Sequence, residues 1–125
     1  MFSEEANIDV VREAGILKSV SVTLPIWTKE LEDGTLSVDA PMLGIKTFAK
    51  NEEDVFVAVK EAAHLFFINC ETFGGGLETE LKLAGWGFKS HEIDSASLYW
   101  GTNDEVIEQI MSTGDSFSET LELTA

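Results

Sequence analysis

Several residue types are scarce in this chain, and each scarcity narrows its chemistry. The 125 residues include one cysteine, Cys70, which excludes a disulfide within the chain and a zinc site built from several cysteines. Lys and Arg total 8 against 23 Asp and Glu, so the formal net charge is −15. Because phosphate groups must be met by Lys and Arg, we predict no direct binding to nucleic acid and no attraction to anionic membranes.

Long apolar runs are also missing. The first 15 residues are acidic and contain no such run, so we predict neither a signal peptide nor a membrane span, and we expect a cytoplasmic protein. Apolar residues still make up 44% of the chain, which is enough for one folded core. The acidic excess favours a basic protein partner through electrostatic steering, although solubility alone is an equally simple explanation for it.

A period of two predicts strands in the first half of the chain. Apolar and polar residues alternate over residues 18–26, resume over 36–40, and alternate again over 45–50 after Pro41. Asp33-Gly34 is a typical hairpin turn between the first two of these segments. The pattern predicts three antiparallel strands.

Residues 51–70 carry the strongest helix signal. Asn51 is a suitable N-cap, and three acidic residues follow it where the helix dipole favours negative charge. Two apolar lines run along the helix: Val55, Val59, Ala62 and Phe66 in one, Phe56, Ala63, Phe67 and Cys70 in the other. This face is wider than one sheet needs, so the helix is either deeply buried or in contact with another subunit, and we expect a homo-oligomer, a dimer.

The remaining elements are shorter. We predict a helix over residues 3–14 ended by Gly15, a short helix from Leu77 to Leu83, and a strand over about 93–100. A last helix begins near Thr102 and ends at Gly114, and the acidic tail beyond it is either disordered or briefly extended near Leu121. The predicted organisation is a helical segment at 1–17, an α+β domain at 18–100, and a short helix with an acidic tail at 101–125.

No residue pattern points to catalysis. His64 is a lone helical histidine, and His91, Glu92 and Asp94 are a chance grouping in a predicted loop. The glycine run at 74–76 lacks the ending of a phosphate-binding loop. We therefore predict that the protein is not an enzyme and has no catalytic, cofactor or metal site.

Residues 24–67 combine an apolar strand, the Asp33-Gly34 hairpin, a strand ending at Pro41, the Leu43-Gly44 loop, a third strand and a long helix with an acidic start. This order resembles the HicB-like domain of antitoxins, and the similarity extends over about residues 20–86. The resemblance implies a three- to four-stranded, mainly antiparallel sheet packed on one long helix, a partial RNase H-like core, here with extra short helices at both termini. It also implies a non-enzymatic protein that masks a small basic RNA-cleaving toxin.

Three functions stay open at this point. The chain is an antitoxin-like module that binds a small basic protein, a stand-alone oligomer with a structural role, or an acidic mimic of nucleic acid. For the first function we expect the partner to contact the acidic hairpin through Glu30, Glu32, Asp33 and Asp39.

Overall fold

The computed structural model describes residues 6–100 and 115–123 of the chain. These residues form seven strands and two helices. The elements are β1 (Asn7–Glu13), β2 (Ile16–Glu30), β3 (Leu36–Ala40), β4 (Ile45–Ala49), α1 (Val55–Thr72), α2 (Leu77–Ala84), β5 (Trp86–His91), β6 (Ser95–Trp100) and β7 (Asp115–Glu122). Short 3-10 turns at Pro41–Leu43 and Glu52–Asp54 lead into β4 and α1.

The strands form an antiparallel sheet organised around β2. Their order is β4-β3-β2-β1-β6-β5, and β7 also pairs with β2. β2 is 15 residues long, so it can serve three neighbours along its length. Its residues 16–23 pair with β1, residues 19–26 with β7, and residues 27–30 with β3.

The predicted fold class is wrong in the size of its sheet. We expected three or four strands, and the described residues contain seven. The predicted strands are present as β2, β3, β4 and β6, and the antiparallel arrangement is as expected. β1, β5 and β7 were not predicted as strands of this sheet. β1 and β7 both pair with β2, and β5 pairs with β6.

The predicted N-terminal helix is also wrong, because β1 occupies most of that segment. Ile8 and Val10 are buried while their neighbours Asp9 and Val11 are exposed, which is the alternation of a half-buried strand. Ala14 and Gly15 have φ angles of 53° and 81°, as the two central residues of a type I′ hairpin turn require. Gly15 therefore turns the chain into β2 and does not end a helix.

The long helix is confirmed. The Asn51 side chain accepts a hydrogen bond from the Asp54 N–H at 3.0 Å, and α1 continues from the following 3-10 turn to Thr72. Its buried residues recur at every fourth position: Val55, Val59, Ala63 and Phe67. Full burial of Phe67 alone is worth about 1.5–3 kcal/mol, so this stripe fixes the helix on the sheet.

The short helix α2 packs into the core together with Trp86 and Trp100. Leu77 and Leu81 of α2 are fully buried, as the predicted short helix requires. Trp86 follows Gly85, the residue that ends α2, and donates its indole N–H to the Met42 carbonyl at 2.9 Å. Its ring meets Trp100 edge to face, with 5.5 Å between the ring centroids. The loop before β4 is therefore tied to the start of β5.

The C-terminal strand pairs along the middle of β2. Phe117 and Leu121 of β7 are buried opposite Leu24 and Val20. This is a longer extended segment than the brief one expected near Leu121. The helix predicted from Thr102 to Gly114 lies outside the described residues. Among the helices that the structure describes, none is long and apolar enough to cross a membrane.

Candidate protein-binding surface

The turn between β2 and β3 is held by its own hydrogen bonds. The Leu31 N–H donates to the Thr35 carbonyl at 2.8 Å, and Gly34 adopts a φ of 86°. The Asp33 carboxylate accepts from the Thr35 N–H at 2.9 Å and from the Thr35 hydroxyl. Both bonds favour the charged carboxylate, so they hold the pKa of Asp33 below its ordinary value.

A second acidic segment lies at the same end of the molecule. Leu36 at the start of β3 pairs with Ala49 at the end of β4, so residues 50–54, which follow β4, emerge beside the β2–β3 turn. We call residues 30–35 and 50–54 together the hairpin end. It carries six exposed carboxylates: Glu30, Glu32, Asp33, Glu52, Glu53 and Asp54. None of them takes part in an ion pair within the described chain, where Lys50 is the one cation of the hairpin end.

The structure brings together three of the four predicted contact residues. Glu30, Glu32 and Asp33 are all exposed at the tip. Asp39 lies further along β3, half-buried, between Trp27 of β2 and Lys46 of β4 in the strand register. Sequence reasoning did not assign the acidic residues before α1 to this surface, because it counted them only as stabilisers of the helix start.

Asp39 belongs to a different surface, the outward side of the three strands β2, β3 and β4 at the end of β2. We call this the hairpin outer face, and its residues are Trp27, Lys29, Ser37, Asp39, Lys46 and Phe48. Trp27 is 52% exposed and Phe48 is 56% exposed. The alternation of the strands could have predicted this face. Both aromatic residues lie at positions whose side chains point away from the buried side of their strands.

The opposite end of the molecule has carboxylates of another kind. Arg12 of β1 donates to Glu71 at the end of α1 at 2.6 Å and 2.8 Å, and to Glu78 at the start of α2 at 2.6 Å and 3.0 Å. We call these three residues the Arg12 cluster. The hydrogen bonds from Arg12 lower the pKa of both Glu71 and Glu78 and raise that of Arg12. Because Arg12 already bonds both carboxylates, this cluster ties two helices to the sheet and leaves neither carboxylate without a cationic neighbour.

The side chains weighed for catalysis do not converge. No three His, Cys, Asp or Glu side chains are grouped as metal ligands in residues 6–100 and 115–123. The His91 ring stacks on Phe88 at 4.6 Å, and His64 is half-buried on α1. Partial burial raises the pKa of the Cys70 thiol, which keeps it protonated and unreactive.

Comparison of the chain with protein-family models, with curated proteins and with solved structures gives no match. The function is therefore inferred from a comparison of the hairpin end with the Arg12 cluster. The hairpin end presents carboxylates that have no ion-pair partner in the part of the chain that the structure describes, whereas those of the Arg12 cluster are paired.

Proposed function

We propose that the protein is a non-enzymatic module that binds a basic protein partner at the hairpin end. The observation that supports this most is the six exposed carboxylates gathered from two separate segments, with no ion pair to any described residue. Structural carboxylates are normally paired or capping, as Glu71 and Glu78 are. At the hairpin end, Asp33 bonds its own turn, and Glu52, Glu53 and Asp54 lie in the first turn of a helical segment, but Glu30 and Glu32 have no such role among the described residues.

Charge makes a protein ligand with Lys and Arg side chains the best complement. The net charge of −15 steers a basic molecule toward the chain from a distance of about a Debye length, roughly 8 Å at physiological salt. The local carboxylates then fix where it docks. Nucleic acid is a poor ligand for the same reason, because its phosphates would be repelled.

The resemblance of residues 24–67 to HicB-like antitoxins gives this proposal its specific form. A small basic RNA-cleaving toxin is the partner that the resemblance implies, and the cytoplasm is where such a pair would act. This part of the proposal concerns function alone, since the sheet expected from the resemblance is smaller than the one observed.

The test begins with a pull-down from the native cell using the full chain as bait, followed by kinetics with the partner identified. The informative variant is Glu30→Lys, Glu32→Lys, Glu53→Lys, which leaves the turn-forming Asp33 intact. Its matched control is Glu61→Lys, Glu92→Lys, Glu122→Lys, at exposed positions away from the hairpin end. Both variants change the net charge equally, so any difference between them reports local contact and not overall steering.

We expect the hairpin-end variant to lose at least about tenfold more affinity than the control variant, mainly through faster dissociation. Equal losses in the two variants would show that only total charge matters and would contradict a binding site at the hairpin end. Failure to recover any partner would favour the stand-alone oligomeric function instead.

A further inference from the structure

The hairpin outer face differs from the rest of the acidic surface in its charge. It carries Lys29 and Lys46 against a single carboxylate, Asp39. Two of the chain's seven lysines therefore lie on one small patch, and a third, Lys50, follows at the end of β4. Neither Lys29 nor Lys46 has an ion-pair partner among the described residues.

The same face exposes two large aromatic side chains. In the strand register Phe48 lies opposite Ser37 of β3 and Trp27 lies opposite Asp39, so the two rings lie diagonally across the central strand. Ser37 itself is only 6% exposed. The other two tryptophans, Trp86 and Trp100, are 2% and 7% exposed. Exposed aromatic residues close to unpaired charges are typical of the anchors of a protein interface.

We propose that a second copy of this chain docks on the hairpin outer face and forms a two-fold symmetric dimer. The charge distribution selects this occupant. A two-fold contact repeats every pairing twice, so the lysines of each copy can meet the acidic hairpin tip, Glu30 and Glu32, of the other. Association through a purely acidic part of the surface would instead bring like charges together in a chain of net charge −15.

The size of the face sets the expected strength. Each aromatic side chain contributes at most about 150–250 Å² when fully buried, and both are already about half covered. We therefore expect a contact at the small end of specific interfaces, below about 1,200 Å² in total. We expect a dissociation constant on the order of 1–50 μM, which corresponds to about 6–8 kcal/mol.

Sedimentation velocity over a concentration series of the full chain tests the proposal. The wild type should change from monomer to dimer between about 1 and 200 μM, and Trp27→Thr with Phe48→Thr should weaken the dimer at least about tenfold. The matched control is Val57→Gln with Leu65→Gln on α1, where both side chains are similarly exposed, at 55% and 61%, but lie away from this face. The control should dimerise like the wild type.

A charge exchange tests the pairing itself. Lys29→Glu with Lys46→Glu in one protein, and Glu30→Lys with Glu32→Lys in another, should each remain monomeric. An equimolar mixture of the two should form a heterodimer, because each lysine then meets a glutamate again. A mixture that stays monomeric would overturn the proposed arrangement.

Tryptophan fluorescence gives a readout that does not depend on hydrodynamics. Because Trp86 and Trp100 are buried, acrylamide should quench mainly Trp27, and the quenching should decrease as the protein concentration rises into the dimer range. A wild type that stays monomeric at 200 μM would reject the proposal. So would a dimer that leaves Trp27 open to acrylamide, or one that the α1 control variant disrupts. No partner protein is present in these measurements, so the dimer can be rejected without contradicting the proposed binding function. If both proposals hold, the second copy and the basic partner compete for Glu30 and Glu32.

Discussion

The hairpin end and the Arg12 cluster use the same residue type for opposite purposes. At the Arg12 cluster two glutamates receive four hydrogen bonds from one guanidinium and are half-buried. At the hairpin end six carboxylates face solvent, and none has a cationic partner within residues 6–100 and 115–123. The comparison shows that the role of a carboxylate depends on whether the fold brings a cation to it, because a paired, desolvated charge stabilises only while its partner remains.

The turns at the two ends differ in a similar way. Asp33-Gly34 forms its turn with a side chain that bonds the backbone, and this signal is visible in the sequence. Ala14-Gly15 forms a turn with no such side-chain signal, and Ala14 has a positive φ that alanine disfavours. The Arg12 cluster lies next to this second turn, since Arg12 also donates to the Gly15 carbonyl at 3.0 Å.

The largest expected effect comes from removing the cation of the Arg12 cluster. Arg12→Met should lower the free energy of unfolding by about 2–4 kcal/mol, because Glu71 and Glu78 would face each other half-buried without a counter-charge. The loss of unfolding free energy is measured by urea unfolding, with circular dichroism as the signal. The control is Lys60→Met, which removes an exposed ion pair to Glu119 and should cost less than about 1 kcal/mol. Equal losses would mean that the cluster is no more than a surface pair.

Acid should reveal the same cluster in the wild type. The pKa of Glu71 and of Glu78 is lowered in the folded chain from the ordinary value of 4.5, so their contribution is present above about pH 5. It is lost as the pH falls through the lower folded-state values. In Arg12→Met the trend should weaken or reverse between pH 6 and 4, since protonation then relieves the repulsion of two neighbouring carboxylates. Parallel pH profiles for the two proteins would contradict this assignment.

One substitution in the β1–β2 turn distinguishes a type I′ turn from a helix that ends at Gly15. It should raise the stability of the first structure and lower that of the second. Ala14→Asn should stabilise the chain by about 0.5–1 kcal/mol, since Asn-Gly is the preferred pair of a type I′ turn and Asn tolerates positive φ. In a helix ending at Gly15, the same change would replace a good helix former and destabilise it. Thermal unfolding decides the sign, with Ala84→Asn in the last position of α2 as the helical control, where a loss is expected.

The smallest expected effect is at the hairpin tip. Glu32→Ala should change the free energy of unfolding by less than about 0.5 kcal/mol, because an exposed side chain without a partner contributes little. Its neighbour Asp33→Ala should lower the melting temperature measurably, since it removes both hydrogen bonds to Thr35. If the two variants melted alike, the separation of binding residues from folding residues at this end would be wrong.

Local patterns accounted for the central part of the fold. The alternation in β2, β3 and β4, the Asp33-Gly34 turn, the Asn51 cap and the α1 stripe all depend on residues a few positions apart, and all are present. The terminal strands were missed because a short segment such as β1 has too few residues to separate a strand period from a helical one. Its structure is decided by pairing with β2 on one side and β6 on the other.

The candidate surfaces also combine features that depend on nearby residues with features that depend on distant segments. The sequence by itself determined the acidic excess and the exposed hairpin tip with Glu30, Glu32 and Asp33. Only the tertiary structure decided that residues 50–54 join that tip, that Asp39 lies apart beside Trp27, and that Arg12 meets Glu71 and Glu78, which are 59 and 66 positions away in the chain. The physical reason is that turn formation and local charge depend on residues close together in the chain. The partner of a charged side chain depends instead on which distant segments are brought together when the apolar residues pack into the core.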